Sequence, residues 1–195
     1  MPTEKPDHTP ATPSAAGTAK AVRARKGPPP VHLWNPEFCG DIDMEIRRDG
    51  TWFYEGTPIG RPALVKLFAS ILKIEDGKHY LVTPFEKVGI RVVDAPFVAI
   101  DFTVSGSGPD QRLTFETNVG DLAMAGAEKP IRVERGADGE PSPYIHIRRG
   151  LEALIDRKSF YRLVDLGEVE GDMFGLRSGG QFFPIIPASE LDLAD

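Results

Sequence analysis

Cysteine is nearly missing from this chain of 195 residues, which contains only Cys39. A single cysteine cannot form an internal disulfide, so we expect a reducing compartment and predict a cytoplasmic location. Because free cysteines are usually buried, we expect Cys39 to pack as a small apolar side chain. No apolar run approaches the roughly 18 residues that cross a bilayer, and the N-terminal residues lack the apolar core of a signal peptide. The sequence therefore predicts no membrane span.

The motifs of known catalytic and cofactor sites are also missing. The four histidines, His8, His32, His79 and His146, lack the spacing of a transition-metal site. No GxSxG nucleophile motif occurs. The glycine-containing stretch at residues 106–109 lacks the lysine and the following helix of a phosphate loop, so we interpret it as a turn. We therefore expect no cofactor and no metal, and we favour a protein without enzymatic activity.

Acidic residues outnumber basic ones, and the balance changes along the chain. The formal net charge is −6, yet residues 1–30 carry five basic and two acidic side chains. That segment is rich in proline, alanine, threonine and serine and has no aromatic residue, so we predict a disordered basic arm at 1–30. The acidic remainder argues against an extended nucleic-acid interface, although a few arginines can still bind a small anion.

A short arrangement occurs twice in what remains. Ile46-Arg47-Arg48-Asp49-Gly50 ends one strand-like run, and Ile147-Arg148-Arg149-Gly150 ends another about 101 positions later. Each is followed by an apolar helical stretch and then by a strand with aromatic residues and proline, at 80–85 and 181–185. The repeat predicts an α+β fold of two related units, each an antiparallel sheet with a helix, at 31–110 and 111–195. Arg47 and Arg148 would then be equivalent.

Period-two alternation predicts strands on both sides of this repeat. Residues 41–47 place acidic side chains and Arg47 on one face and apolar side chains on the other. A two-residue turn at Asp49-Gly50 would pair Arg47 with Trp52, Ile46 with Phe53 and Glu45 with Tyr54. Phe53 would join the core, while Trp52 and Tyr54 would share the polar face with Arg47. In the second unit, Tyr144, His146 and Arg148 share one face.

Two helices are expected. Pro62 in the first turn and apolar residues at helical spacing predict a helix near 62–72, with Arg61 at its N-terminus. Residues 158–166 predict the second helix. A helix N-terminus favours anions, so Arg61 is a further candidate anion contact.

These placements define a candidate ligand site. Arginine binds phosphate through two parallel hydrogen bonds, and aromatic rings stack on nucleotide bases. If the two polar faces meet, they form a pocket for a nucleotide-sized anion. The candidate ligand-binding residues are Arg47, Trp52, Tyr54, Arg61, Arg91, His146 and Arg148.

Other interpretations remain open at this point. The arginines can instead form structural ion pairs with nearby carboxylates, and Trp52 can be an anchor between strands. Asp41, Asp43 and Glu45 lie on one strand face and could bind Mg²⁺ or Ca²⁺ through oxygen atoms, although a solvated strand face has the same pattern.

Three stretches carry a resemblance to a known family. They are residues 39–62 (CGDIDMEIRRDGTWFYEGTPIGRP), residues 80–91 (YLVTPFEKVGIR), and residues 148–157 (RRGLEALIDR) together with Phe182-Phe183-Pro184. They resemble the uncharacterised bacterial family catalogued as domain of unknown function 1285, over roughly residues 31–187. The resemblance implies a duplicated α+β core whose second half is superficially like pleckstrin-homology folds. It also implies a ligand site between the halves, suited to a nucleotide-like molecule, and a role in signalling. It supplies no catalytic residues.

The leading functional hypothesis is a non-enzymatic sensor that binds a small anionic, nucleotide-like ligand at the junction of the units. A protein-interaction adaptor for a signalling partner is the alternative. A metal-dependent phosphoryl-transfer or hydrolytic enzyme that uses Asp41, Asp43 and Glu45 is the third hypothesis.

Overall fold

The computed structural model of the protein describes residues 29–136 and 139–193. The predicted arm therefore lies outside the described residues except for its last two positions. The described chain contains two α-helices, three short 3₁₀ turns and three β-sheets. The helices are α1 (Pro62–Ser70) and α2 (Arg157–Val164).

The first sheet consists of the six strands β1 to β6, in the spatial order β3-β2-β1-β6-β5-β4. Its two central strands, β1 and β6, are parallel, and the other neighbours are antiparallel. The strands are β1 (Phe38–Ile46), β2 (Trp52–Tyr54), β3 (Thr57–Pro58), β4 (Leu72–Glu75), β5 (Lys78–Val82) and β6 (Lys87–Val92).

The second sheet consists of β7 to β12, in the order β10-β11-β12-β7-β8-β9, with β7 and β12 as its parallel central pair. The strands are β7 (Phe97–Ser105), β8 (Arg112–Thr117), β9 (Leu122–Met124), β10 (Ile131–Arg135), β11 (Pro141–Arg148) and β12 (Leu151–Ile155). A third, antiparallel sheet follows α2 and contains β13 (Glu168–Glu170), β14 (Met173–Ser178) and β15 (Gln181–Pro187).

The two six-stranded sheets have the same topology. Numbered from their own first strands, both have the order 3-2-1-6-5-4, and in both the first and last strands are the parallel central pair. The internal duplication is therefore present in the strand connections. The helices break the symmetry, because α1 lies between β3 and β4 whereas α2 follows β12.

The repeat seen in the sequence does not coincide with this topology. Arg47 follows the first strand of its sheet, whereas Arg148 ends the fifth strand of the other sheet, so they are not equivalent. The sheets also divide between Val92 and Phe97, before the predicted boundary at 110, because β7 pairs with β12. The similar Ile-Arg-Arg segments both enter tight hairpins, which explains their likeness.

The first hairpin has a register one residue away from the prediction. Ile46 pairs with Trp52, Glu45 with Phe53 and Met44 with Tyr54. The loop contains three residues, not two, because Gly50 adopts a positive φ of 80° and the Arg47 N–H donates to the Thr51 carbonyl at 3.0 Å. A one-residue change of register exchanges the faces of every side chain. Trp52 therefore enters the core and Phe53 does not.

Trp52 is 1% exposed, and its ring stacks on Phe68 of α1 with centroids 6.3 Å apart. The core around it is apolar and includes Met44, Ile46 and Leu81. Cys39 was expected to be buried, but it is exposed on β1. Among the described residues, no helix has the length and apolar character required to cross a bilayer.

Candidate functional site

A cleft of about 650 Å³ lies where the first unit meets the second. The first unit contributes Arg48, from the β1–β2 loop, and the second contributes β11, β12 and the start of α2. We call it the junction cleft. Its lining includes Arg48, Ser142, Leu154, Arg157, Phe160 and Tyr161, together with the carboxylates Glu140 and Asp156.

Arg48 connects three parts of the molecule at this cleft. Its Nε lies 3.3 Å from an oxygen of Asp94 in the segment between the units, and its Nη2 donates to the Ser142 hydroxyl at 2.9 Å. The side chain nevertheless remains 60% exposed, so its other N–H groups can reach a ligand.

Tyr144 fixes the other side of Asp94. Its hydroxyl donates to the second Asp94 oxygen at 2.8 Å. Burial, and then this hydrogen bond, raise the pKa of Tyr144 to about 12. The phenol therefore stays protonated at neutral pH and holds the carboxylate in place.

Helix α2 supplies the second cation and the aromatic surface of the cleft. Arg157, the first residue of α2, is exposed and pairs with Glu140 at 2.6 Å. One turn later Phe160 is half-buried and Tyr161 is exposed. The Asp156 carboxylate already accepts the Ser159 N–H at 2.7 Å, so it occupies the helix N-terminus. An anion in this cleft would bind to the arginines and not to the helix end.

Three of the predicted arginines lie in the first unit, outside the junction cleft. Arg47 covers the Phe53 ring, with its guanidinium carbon 3.6 Å from the ring centroid, and donates to Glu45 at 3.2 Å. Arg91 is 73% exposed and pairs with the same Glu45. Arg61 is exposed at the N-terminal cap of α1 and makes no side-chain capping bond. The structure does not bring these three together with Arg148.

Arg148 connects the two units. Its side chain is 26% exposed, pairs with Asp121 of the second unit, and donates to the Ala69 carbonyl of α1 at 2.8 Å. The guanidinium also lies over the Phe97 ring, 4.9 Å from its centroid. These contacts occupy the charge, so the predicted role of Arg148 as a ligand contact is not the one its position supports.

The remaining predicted residues do not line the cleft either. His146 lies between Tyr144 and Arg148 on the β11 face that meets the first unit, and its Nε2 accepts the Gly150 N–H at 3.0 Å. Tyr54 packs half-buried against the core. Trp52 cannot stack on a ligand, because the shifted register buries it.

The three carboxylates proposed as metal ligands do not form one cluster. Glu45 is engaged by both Arg47 and Arg91, while Asp41 and Asp43 are exposed. Within residues 29–136 and 139–193, no group of three His, Cys, Asp or Glu side chains could hold a metal ion.

The residues that line the junction cleft were missed by sequence reasoning. Arg48 stands beside Arg47, and only the register of the hairpin decides which of them reaches the second unit. The capping Asp156 predicts only that a helix starts there. It does not indicate that the residues after it, Arg157, Phe160 and Tyr161, line a ligand site.

Comparison with known proteins settles the family. Residues 29–95 match the family model for the N-terminal domain of DUF1285, a domain of unknown function. Residues 96–185 match the model for the DUF1285 C-terminal domain. The chain belongs to the DUF1285 family. The boundary between the two DUF1285 domains coincides with the division between the two sheets. No curated protein matches the chain.

Two solved structures of DUF1285 proteins are similar to this chain. A DUF1285 family protein from Silicibacter pomeroyi DSS-3 is 63% identical, with a TM-score of 0.88, and the match covers 92% of this chain and 98% of that one. A DUF1285 family protein from Shewanella baltica OS155 is 32% identical, with a TM-score of 0.50, over 63% of this chain and 90% of that one. Neither description names an activity or a ligand.

Proposed function

We propose that this DUF1285 protein is a non-enzymatic sensor in bacterial signalling that binds a small anionic, nucleotide-like ligand in the junction cleft. The observation that carries the proposal is the pair of exposed arginines, Arg48 and Arg157, which line one cleft beside two aromatic side chains. The alternative function is a protein-interaction adaptor, and the binding test distinguishes it from the sensor.

The size and chemistry of the cleft support this ligand class. Small-molecule pockets have volumes of about 300–1,000 Å³, and the junction cleft has about 650 Å³. Two guanidinium groups can bind a phosphate or carboxylate, and the exposed ring of Tyr161 can stack on a base. The Ser142 hydroxyl adds a donor and acceptor for the polar edge of the ligand.

The position of Arg48 supports a sensing role. An anion that recruits this guanidinium competes with Asp94, which lies in the segment joining the two units, and with Ser142 on β11. Ligand binding would therefore change contacts that cross the junction. A difference in these contacts between the free and bound states is what a sensor needs in order to signal.

The binding test uses the full-length protein with a panel of nucleotides, cyclic and dinucleotide second messengers, and divalent metals, screened by thermal shift. A probe at 100 times its Kd should add about 2.7 kcal/mol of stability. For a probe that shifts the midpoint, we expect Arg48→Gln and Arg157→Gln each to raise Kd about tenfold or more, since a hydrogen bond to a charged group contributes about 1.5–3 kcal/mol.

Arg47→Gln is the matched control, because Arg47 is adjacent to Arg48 in the same loop but lies outside the cleft. Its Kd should equal that of the wild type. Unchanged affinity in both Arg48→Gln and Arg157→Gln would overturn the junction site. If no nucleotide or second messenger shifts the midpoint, the adaptor hypothesis is favoured, and a shift with a metal alone would favour the enzyme.

Two finer expectations belong with this proposal. The family resemblance implies that the second unit is superficially like pleckstrin-homology folds, and this stays a prediction. We also propose a cytoplasmic location, supported by the exposed free thiol of Cys39, which a reducing compartment would keep reduced.

A further inference from the structure

A second cleft, of about 710 Å³, lies over the central strands of the first sheet. It is bordered by β1, β6, β5 and the turn before β5, and we call it the sheet cleft. Along β6, Val88 is fully buried, while the neighbouring Lys87 and Gly89 line the cleft. The cleft shares no lining residue with the junction cleft.

The sheet is deformed at this cleft. In the parallel pair of β1 and β6, Phe38 lies opposite Lys87, Asp41 opposite Gly89 and Glu45 opposite Arg91. From each pair to the next, β6 advances by two residues. β1 advances by three residues over the first step and by four over the second, so it contains extra residues at both steps. Gly40 lies within the first irregular step and has a φ of 104°. Bulges of this kind redirect side chains and are common beside functional sites.

The second sheet provides an internal comparison. Its central parallel pair, β7 and β12, occupies the same place in the same topology, yet its register is regular through Phe97–Ala153, Val98–Leu154 and Ala99–Ile155. The fold alone therefore does not require the irregularity in β1. The deformation belongs specifically to the first sheet.

The deformation places Asp41 directly over the backbone of β6. A Cβ atom at Gly89 would collide with the Asp41 carboxylate, so the carboxylate occupies the space that a side chain there would fill. Within the described part of the chain, the Asp41 carboxylate forms no hydrogen bond and no ion pair. The sheet cleft thus contains an exposed carboxylate that has no partner among the described residues.

An exposed aromatic ring and a lysine line the same cleft as this carboxylate. Phe38 is 54% exposed, although it is a large apolar side chain, and it packs edge-on against Tyr80 with centroids 6.0 Å apart. Lys78 lines the same cleft, and it also has no ion pair among the described residues.

Two other cations of the cleft have carboxylate partners. Lys87 pairs with Glu75 at 2.8 Å, and Arg91 pairs with Glu45. Burial lowers the pKa of the His79 imidazole, which disfavours its charged form. The charged groups of the cleft that have no partner among the described residues are therefore one carboxylate and one ammonium, and Phe38 adds one exposed ring.

We propose that the sheet cleft binds a small aromatic zwitterion, of the class of the aromatic amino acids. The ligand ring lies on Phe38, its ammonium group donates to Asp41, and its carboxylate accepts from Lys78. The opposite charges of Asp41 and Lys78 select for a ligand that carries both, because a ligand with one charge leaves the other group unpaired. This proposal does not depend on the junction cleft.

The experiment compares three probes that differ by one charged group. Isothermal titration with the full-length protein uses L-tryptophan, tryptamine, which lacks the carboxylate, and indole-3-propionate, which lacks the ammonium. We expect saturable binding of L-tryptophan and at least tenfold weaker binding of each of the other two. Asp41→Asn and Lys78→Gln should each weaken L-tryptophan at least tenfold.

Two control variants separate this site from its surroundings. Asp43→Asn removes an exposed carboxylate from the same strand, and Arg48→Gln removes a cation from the junction cleft. Both variants should bind L-tryptophan with the affinity of the wild type. The two proposed sites are therefore tested independently of each other.

Three results would overturn the proposal. They are no saturable binding of L-tryptophan at millimolar concentration, equal affinity for tryptamine and L-tryptophan, and wild-type affinity in Asp41→Asn. The midpoint of unfolding without ligand, measured for each variant, distinguishes lost binding from lost folding.

Discussion

Neighbouring arginines in this protein have different roles, and their contacts decide which. Arg47 covers an aromatic ring, whereas Arg48 bridges the units through Asp94 and Ser142. Arg148 is held by Asp121 and a helix carbonyl, while Arg149 is exposed and contacts His32 at 3.0 Å. Residue type and spacing are the same in each pair. Of these four arginines, only Arg48 lines the junction cleft.

Tyr144 gives the stability of the protein a dependence on alkaline pH. Its pKa is raised to about 12 in the folded state, whereas an unfolded tyrosine has a pKa of about 10. The unfolded state therefore loses the proton at a lower pH than the folded state. The contribution to stability is complete below about pH 10 and is lost as the pH rises towards about 12.

We expect the urea midpoint to fall more steeply from about pH 10 to about pH 12 in the wild type than in Tyr144→Phe. Tyr161→Phe is the control, because Tyr161 is exposed on α2, and its profile should follow that of the wild type. Identical slopes in the wild type and Tyr144→Phe would show that the phenol is not held in its protonated form.

At the scale of elements, the β1–β2 hairpin controls which side chains face the core. Its three-residue loop depends on Gly50, whose positive φ of 80° is unfavourable for other residues. The same glycine lies against the second unit, because a Cβ there would be 2.6 Å from the Asn118 amide nitrogen and 3.0 Å from Val98. One glycine therefore sets both the register and the close approach of the units.

Gly50→Ala is expected to lower the free energy of unfolding by about 2–4 kcal/mol, from backbone strain together with overpacking. Gly56→Ala is a matched control, since its φ is 73° but no atom lies within 4 Å of a Cβ there. It should cost only about 1 kcal/mol. Urea denaturation measures both, and equal costs would rule out the close approach at Gly50.

At the scale of the whole molecule, partly buried polar contacts join the units. The Asn118 side chain accepts the Val98 N–H at 3.1 Å and donates to the Gly50 carbonyl at 3.3 Å. Arg148 reaches from β11 to the end of α1. Breaking such contacts leaves polar groups without partners, so separation of the units is unfavourable.

We therefore expect the protein to unfold in one transition. Trp34 and Trp52 both lie in the first unit and are buried, so tryptophan fluorescence reports on that unit, while far-UV circular dichroism reports on both. The two urea curves should coincide. A fluorescence midpoint clearly below the circular dichroism midpoint would show that the units unfold separately.

Arg148→Ala sharpens this test. We expect it to lower the free energy of unfolding by about 1–3 kcal/mol, because it leaves Asp121 and the Ala69 carbonyl without their donor. Arg149→Ala, which removes an exposed contact, should change it by less than about 0.5 kcal/mol.

Local patterns predicted most of the secondary structure. Alternation along 41–47 gave most of β1, and the aromatic stretch at 181–185 lies within β15. Pro62 gave the start of α1. These signals are local because they depend on backbone propensity and on the side-chain period of each element.

The sequence by itself determined a duplicated α+β protein and its family, because strand alternation, helix starts and the matching stretches all lie in short segments. Tertiary structure decided the parts that involve distant residues. The parallel pairing of β7 with β12 moved the boundary between the units, and a three-residue loop reversed the faces of Trp52 and Phe53. The same register sent Arg48, and not Arg47, to the second unit. A period of two identifies the two faces of a strand, but only packing against the rest of the chain decides which face is buried.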